Sequence, residues 1–273
     1  MVFLHILLFL VTVASTVFVG GYVYSCAIMT ILLCHEMGHY VMTRRHGIPS
    51  TLPFFIPLPL PPFGTFGAVI KMKGTITDRK ALFDIGVAGP LAGFIAAVPV
   101  IIAGIKLSTV MTVSGVPSSS YMELGEPLLF KILEPLLIGR IPEGHELMLH
   151  PLAYAGWVGL FVTSLNLLPV GQLDGGHVVY AVFGRRSNWV YYGVILGLGV
   201  LAVLHNIGWF TLVILLMIFG RSHPRPFDDE TVLDARRKKL AIIVLAVFIL
   251  SFIPAPFPEM TVKNLFQKGG LLR

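Results

Sequence analysis

Apolar runs bounded by charge or by Pro and Gly succeed one another along the chain, at Val2–Gly20, Gly21–Met42, Leu82–Ile105, Pro151–Val170, Asn188–Leu204, Trp209–Phe219 and Leu240–Ile253. A helix needs about 20 mostly apolar residues to cross a bilayer. The first five runs are long enough; the last two are short and require tilt, local thinning or extension past these limits. Composition agrees. Charged residues make up 12% of the chain, about half the roughly 25% of a soluble domain, and apolar residues reach 55% with a mean hydropathy of +0.83. So few charges do not coat a water-facing globule of 273 residues, which excludes an ordinary soluble domain. High hydrophobicity excludes a disordered chain. Two cysteines are too few for a disulfide scaffold; Cys26 and Cys34 share one apolar stretch and read as buried thiols. The fold class is an all-α integral membrane protein with six to seven transmembrane helices.

The net charge is +6. Its basic residues flank the apolar runs, as neighbours of lipid headgroups do, and form no patch interleaved with aromatics. The expected surroundings are therefore a lipid bilayer and not nucleic acid. Arg44, Arg45, Lys71, Lys73, Arg79 and Lys80 lie between the second and third runs, Arg185 and Arg186 between the fourth and fifth, and Arg221, Arg225 and Arg236 to Lys239 between the sixth and seventh. Alternate crossings put all three segments on one side, the cytoplasm by the positive-inside rule. The opposite loop, Lys106–His150, holds three basic residues against five Glu. Seven spans with an inside N-terminus satisfy this count. The first run lacks the basic leader of a signal peptide and is too long for one; its start at Val2 fits a chain trimmed upstream.

Between the second and third runs, six Pro from Pro49 to Pro62 forbid both a regular helix and a central strand. Phe66, Ala68, Ile70 and Met72 then alternate with Gly67, Val69, Lys71 and Lys73, the period of a strand. Such backbone persists at membrane depth only where protein buries it or a wet cavity lines it. A re-entrant, Pro-rich loop followed by a short strand is expected.

The chemistry concentrates in His35-Glu36-Met37-Gly38-His39. On a helix the two imidazoles fall at i and i+4, so both reach one metal, and Glu36 is placed to take a proton from metal-bound water. Ionisable groups inside an apolar run are functional by default; the bland alternative is a pair of core histidines bonded to neighbouring helices. A catalytic zinc usually takes three protein ligands. Asp174, in Leu173-Asp174-Gly175-Gly176-His177, lies on the matching side and depth. On spacing alone it reads equally well as a loop Asp before a Gly-Gly turn.

Together, His35–His39 and Asn166-Leu-Leu-Pro-Val-Gly-Gln-Leu-Asp174-Gly-Gly-His177 resemble the signatures of the site-2 protease family of intramembrane zinc metalloproteases. The Pro-rich segment, Gly64-Thr65-Phe66-Gly67 and the stretch Arg79–Gly93 add to a resemblance covering roughly residues 22–220. It is nearest the branch shared by archaeal, bacterial and chloroplast members. The resemblance implies one zinc ion per chain on His35, His39 and Asp174, with Glu36 as general base. It implies that Asn166 contacts the substrate backbone or the tetrahedral oxyanion, and that the strand carrying Thr65, Phe66, Gly67 and Ala68 pairs with an extended substrate. The substrate is then a single-pass membrane protein or peptide, unwound where it is cut. His177 is a candidate partner of Asp174.

Lys106–His150 has too few residues for the PDZ domain that some relatives insert there, and with about 20 residues after the last run no regulatory domain is expected within them. This acidic loop, with its Ser114–Ser120 cluster, gates substrate or caps passively. Gly171 stands where some relatives have a second Pro. His5 and His205 read as core histidines, Arg79 and Asp84 as a headgroup-level pair, Arg236–Lys239 as a headgroup anchor, and Ala88, Gly89 and Gly93 as a small-residue packing face. The expected organisation is a protease core over 1–220, then a cytoplasmic basic loop, last helix and short tail over 221–273. A compact chain of this type suggests a prokaryotic plasma membrane; an organelle membrane such as the thylakoid obeys the same charge rule. Two other functions compete: an inert family member acting as a binding or folding factor, and a zinc transporter. One ligand cluster without an internal repeat disfavours the transporter.

Overall fold

In the computed structural model, which describes residues 2–112, 122–204, 208–219 and 225–258, the first helix, α1, runs from Val2 to Arg45. It is not straight. The hydroxyls of Thr16 and Ser25 lie 2.7 Å apart, and Ser25 Oγ donates to Val13 O at 3.3 Å. Residues 13 and 25 of a straight helix would be about 18 Å apart. The chain therefore reverses, and it does so at Gly21, whose φ of 78° and ψ of 176° are closed to side chains. Helix α1 is thus a hairpin whose halves meet at the predicted boundary between the first two spans.

Among the described residues seven more α-helices follow: α2 (Arg79–Leu107), α3 (Leu128–Ile138), α4 (Pro151–Asn166), α5 (Asp174–Phe183), α6 (Ser187–Leu204), α7 (Gly208–Phe219) and α8 (Ala235–Ser251). Asp78 starts α2 by accepting from the N–H groups of Lys80 and Ala81, both at 2.8 Å, a side-chain N-cap. Helices α1 and α2, and the stretch Asp174–Leu204, are long and apolar enough to cross a membrane. The core lies where Ile28 and Ile31 of α1, Ile101 and Ile105 of α2, and Trp157 and Leu160 of α4 bury one another.

The Pro-rich segment supplies β1 (Phe54–Pro57), paired antiparallel with β2 (Thr65–Val69); the register shifts between Phe55 and Pro57. With two strands, neither is central, so the prolines are tolerated. Pairing resumes at Ser50 and Met72. The turn of this ribbon is held by Tyr24, whose hydroxyl donates to Phe63 O at 2.6 Å, and Tyr154, whose hydroxyl donates to Pro62 O at 2.7 Å. The acidic loop, unassigned from sequence, contains α3 and the strands β3 (Thr109–Thr112) and β4 (His145–Met148), which pair antiparallel. Its Ser114–Ser120 cluster lies outside the described residues, as does His205.

Three expectations need correction. Cys26 and Cys34 are free, but Cys26 is exposed on α1 and Cys34 only half-buried, because both sit on the outer side of a helix whose apolar surface a bilayer would cover. Arg79 and Asp84 do not pair. Five residues apart, they point about 140° apart around the helix. The Arg79 guanidinium donates to the carbonyls of Ala181 (2.7 and 3.0 Å) and Val182 (3.1 Å), among the last four of α5, which lack helical partners. Asp84 instead accepts from Arg237 at 2.6 and 2.8 Å and lies 3.0 Å from His46 Nε2. Arg237, expected at the headgroups, thus turns inward and joins α8 to α2 and to the end of α1, with Asp234 as its second partner. Charge-assisted bonds of this kind are worth about 2 kcal/mol. Asp84→Asn is therefore expected to lower the thermal unfolding midpoint of the detergent-solubilised protein, while Lys238→Gln, an exposed neighbour, leaves it in place. Equal midpoints would show that the triad contributes nothing.

Candidate active site

The second half of α1 carries His35, Glu36 and His39, all buried; α5 begins at Asp174, half-buried. Although 135 residues separate them, His39 Nε2 lies 3.2 Å from Asp174 Oδ2. His35 Nε2 lies 3.3 Å from the same oxygen and 3.2 Å from His39 Nε2. His39 Nδ1 is 2.8 Å from Ile85 O. A carbonyl only accepts, so Nδ1 carries the proton and Nε2 presents a lone pair inward. A second imidazole and a carboxylate oxygen meet that lone pair. Their spacing fits a cation at the centre, since metal bonds of about 2.0–2.1 Å at tetrahedral angles hold donors about 3.3 Å apart. Among the described residues this is the one group of His, Cys, Asp and Glu with metal-type spacing.

Helix α2 makes room for this convergence. A Cβ at Gly89 would overlap the His39 ring, one at Gly93 would lie 3.0 Å from His35 Nδ1, and one at Gly86 would lie 2.9 Å from His177 Cβ and 3.1 Å from Asp174 O. Positions 86, 89 and 93 share one helical face, so three glycines seat three parts of the site. Gly38 likewise lies against the Ala88 carbonyl. Sequence reading treated Gly89, Gly93 and Ala88 as helix packing only; the signal it missed is that their spacing matches that of the two histidines.

Asn166, the last residue of α4, brings its amide nitrogen within 3.3 Å of His35 Nε2, at the same focus. His177, on α5, is buried against Gly86. The ribbon reaches the site at Ile70, whose backbone lies near the Glu36 carboxylate. Lys71 O and Lys73 N bond to the strand bearing Thr51 and Pro49, so the period of two turns the Ile70 backbone to the opposite, unpaired edge. Neither Ile70 nor Ile85 was legible as a site residue, because each contributes backbone alone. The other expected ribbon residues lie farther along β2. Thr65 is buried, with its hydroxyl donating to Ile56 O at 2.9 Å, and Gly67 N–H donates to that hydroxyl at 3.0 Å. Phe66 projects outward, 71% exposed, and Ala68 is half-buried. His5 is a satisfied core histidine, its Nδ1 3.1 Å from Pro53 O.

Two imidazoles and a carboxylate converging between apolar helices long enough to cross a membrane define a membrane protein with a metal-type centre. The chain belongs to Peptidase family M50, whose sequence model matches residues 23–215. It is 34% identical over 236 residues to the chloroplastic probable zinc metalloprotease EGY1 of Arabidopsis thaliana, covering 83% of this chain and 42% of that protein. It is 31% identical over 229 residues to the chloroplastic probable zinc metalloprotease EGY2 of the same plant, covering 83% and 40%. The chain thus spans about two fifths of the length of the curated relatives it matches. A solved structure, the site-2 protease from Methanocaldococcus jannaschii, aligns over 90% of this chain and 85% of that one at 16% identity with a TM-score of 0.34; a likeness that loose positions no residue.

Proposed function

We propose that the chain is an intramembrane zinc endopeptidase that hydrolyses a peptide bond in or near a transmembrane segment of a membrane-protein substrate. The observation that carries this reading is the tetrahedral-edge spacing of His35, His39 and Asp174 with the Glu36 carboxyl on the adjacent residue. One zinc ion per chain would be held there, and when bound it supplies acidification of water and polarisation of the scissile carbonyl. Glu36 accepts the water proton and returns it to the leaving nitrogen. Ile85 O holds His39 in the tautomer that binds metal. Asn166 binds the substrate carbonyl from the side facing His35. The free edge of β2 pairs with the unwound substrate, a strand addition that ends at Ile70, beside Glu36.

Residues 1–220 form the peptidase core, and 221–273 supply α8, tied to it through Arg237 and Asp84. The site faces the side bearing the basic segments: the cytoplasm, or the stroma of a chloroplast. The relatives reported above are chloroplastic, so the preference for a prokaryotic membrane draws no support from them.

The test is metal removal. Cleavage of a single-pass substrate in detergent is expected to fall at least a hundredfold after chelation and to return with zinc but not with magnesium, which prefers oxygen ligands. Activity that survives verified metal removal would sink the proposal.

A further inference from the structure

At the end of the fold away from the basic segments lies a cavity of about 720 Å³. Its walls carry Glu123, Glu126, Glu134 and Glu146 beside the apolar faces of Phe130 and Trp157. Glu134 sets it apart from an ordinary acidic surface. It is only 8% exposed, on α3, and among the described residues no group hydrogen-bonds or ion-pairs with its carboxylate. A buried carboxylate without a partner is costly unless a donor or cation reaches it. Burial first, and then the neighbouring Glu126, push its pKa up to about 7. The floor is braced: Trp157 Nε1 donates to Gly125 O at 2.6 Å, and Gly125 N–H donates to Pro256 O at 3.1 Å.

The cavity also lies in line with the ribbon. Phe63, at the ribbon turn, stacks on Phe161 with centroids 5.7 Å apart, and Phe161 stacks on Trp157 at 5.6 Å. Trp157 and Asn166 sit on one helix, nine residues and so roughly 14 Å apart. A chain laid along β2 with its scissile bond at Glu36 therefore leaves the ribbon turn beside the Trp157 wall. Extended chain covers that distance in roughly four residues and helix in roughly nine.

We propose that this cavity docks the outer flank of the substrate, taking a Lys or Arg side chain into the Glu134–Glu126 pair while a flanking apolar residue packs on Trp157. The inference rests on the peptidase reading for calling the occupant a substrate. The occupant's chemistry follows from the cavity itself, four carboxylates around an apolar floor, which fits an aliphatic stem ending in a cation.

Binding tests this with hydrolysis silenced. The probes are two dye-labelled single-pass peptides whose outer flank carries either a Lys pair or a Gln pair, titrated by anisotropy against the zinc-loaded Glu36→Gln chain in detergent. The Lys probe is expected to bind about tenfold tighter. Glu134→Gln and Glu126→Gln should each remove most of that preference without changing the Gln probe's Kd. The preference should also fade as pH falls through about 7, where Glu134 takes up a proton among Glu123, Glu126, Glu146 and His145. Equal binding of the two probes, or a Lys preference that survives both substitutions together, overturns the assignment. So does a preference that emerges only after the residues beyond Pro258 are deleted, which would give the cavity to the chain's own basic tail. Cleavage by the chain with Glu36 intact is scored separately: no cleavage with an intact charge preference tells against the peptidase reading and not against the cavity.

Discussion

Glu36→Gln is expected to abolish cleavage, by about a thousandfold or more, while the purified protein keeps close to one zinc per chain. Asp174→Ala is expected to lose both activity and metal. The two outcomes differ because the proposed mechanism gives the two carboxylates different work. Asp174 Oδ2 lies 3.2 and 3.3 Å from the two imidazole nitrogens, at the spacing of co-ligands. Glu36 stands outside that triangle, near the Ile70 backbone, where it can exchange protons. Removal of a general base costs about 10²–10⁴ in rate, and the near-isosteric Gln keeps the shape of the site. Removal of a ligand leaves two imidazoles, which hold zinc far less tightly. Zinc measured by atomic absorption beside cleavage of a single-pass peptide separates these roles. An active Glu36→Gln protein would mean that another group takes the proton. A wild-type chain that binds zinc but cleaves nothing would favour the inert-member reading, and full zinc in Asp174→Ala would remove Asp174 from the ligand set.

How far such a site can be read from sequence depends on which atoms do the work. His35, Glu36 and His39 were legible because one helical turn brings them together and the pattern is local. Asp174 was half legible: an Asp before two glycines is commonplace, and only the meeting of α1, α2 and α5 puts its oxygen at the same focus. The hairpin in α1 was legible, because counting Val2–Gly20 and Gly21–Met42 as successive crossings already requires the chain to reverse between them, and Gly21 is where it does. Backbone contributions left no trace, because any residue supplies the carbonyl of position 85 or the backbone of position 70. The Asp84–Arg237 pair spans 153 residues, beyond the reach of any periodicity, so nearness in sequence favoured the wrong partner for Asp84. The outer cavity was hidden for a related reason: its acidic residues were countable, but the burial of Glu134 depends on how α3 packs.

The glycine face of α2 yields the sharpest structural expectation. Gly89→Ala should lower zinc occupancy at least tenfold in a protein that still inserts and folds. Alanine is the better helix former by roughly 1 kcal/mol, so the helix itself gains. What the methyl group meets is the His39 ring at Nε2, the atom that would bind metal. The neighbour cannot give way cheaply, because His39 is held from its other side by Ile85 O at 2.8 Å. The imidazole must rotate out of register or the two helices must part. At Gly93 the added carbon would lie 3.0 Å from His35 Nδ1, a contact that a few tenths of an ångström would relieve, so Gly93→Ala should cost a smaller part of the occupancy. Gly197 on α6 has nothing within 4 Å of its would-be Cβ, and Gly197→Ala should leave zinc and stability intact. Metal affinities that fall in the order 197, 93, 89 would tie binding to the closeness of α2 and α1. If instead all three alanine variants lose zinc equally, the loss reflects general misfolding; if none loses it, His39 does not need that seat to bind metal.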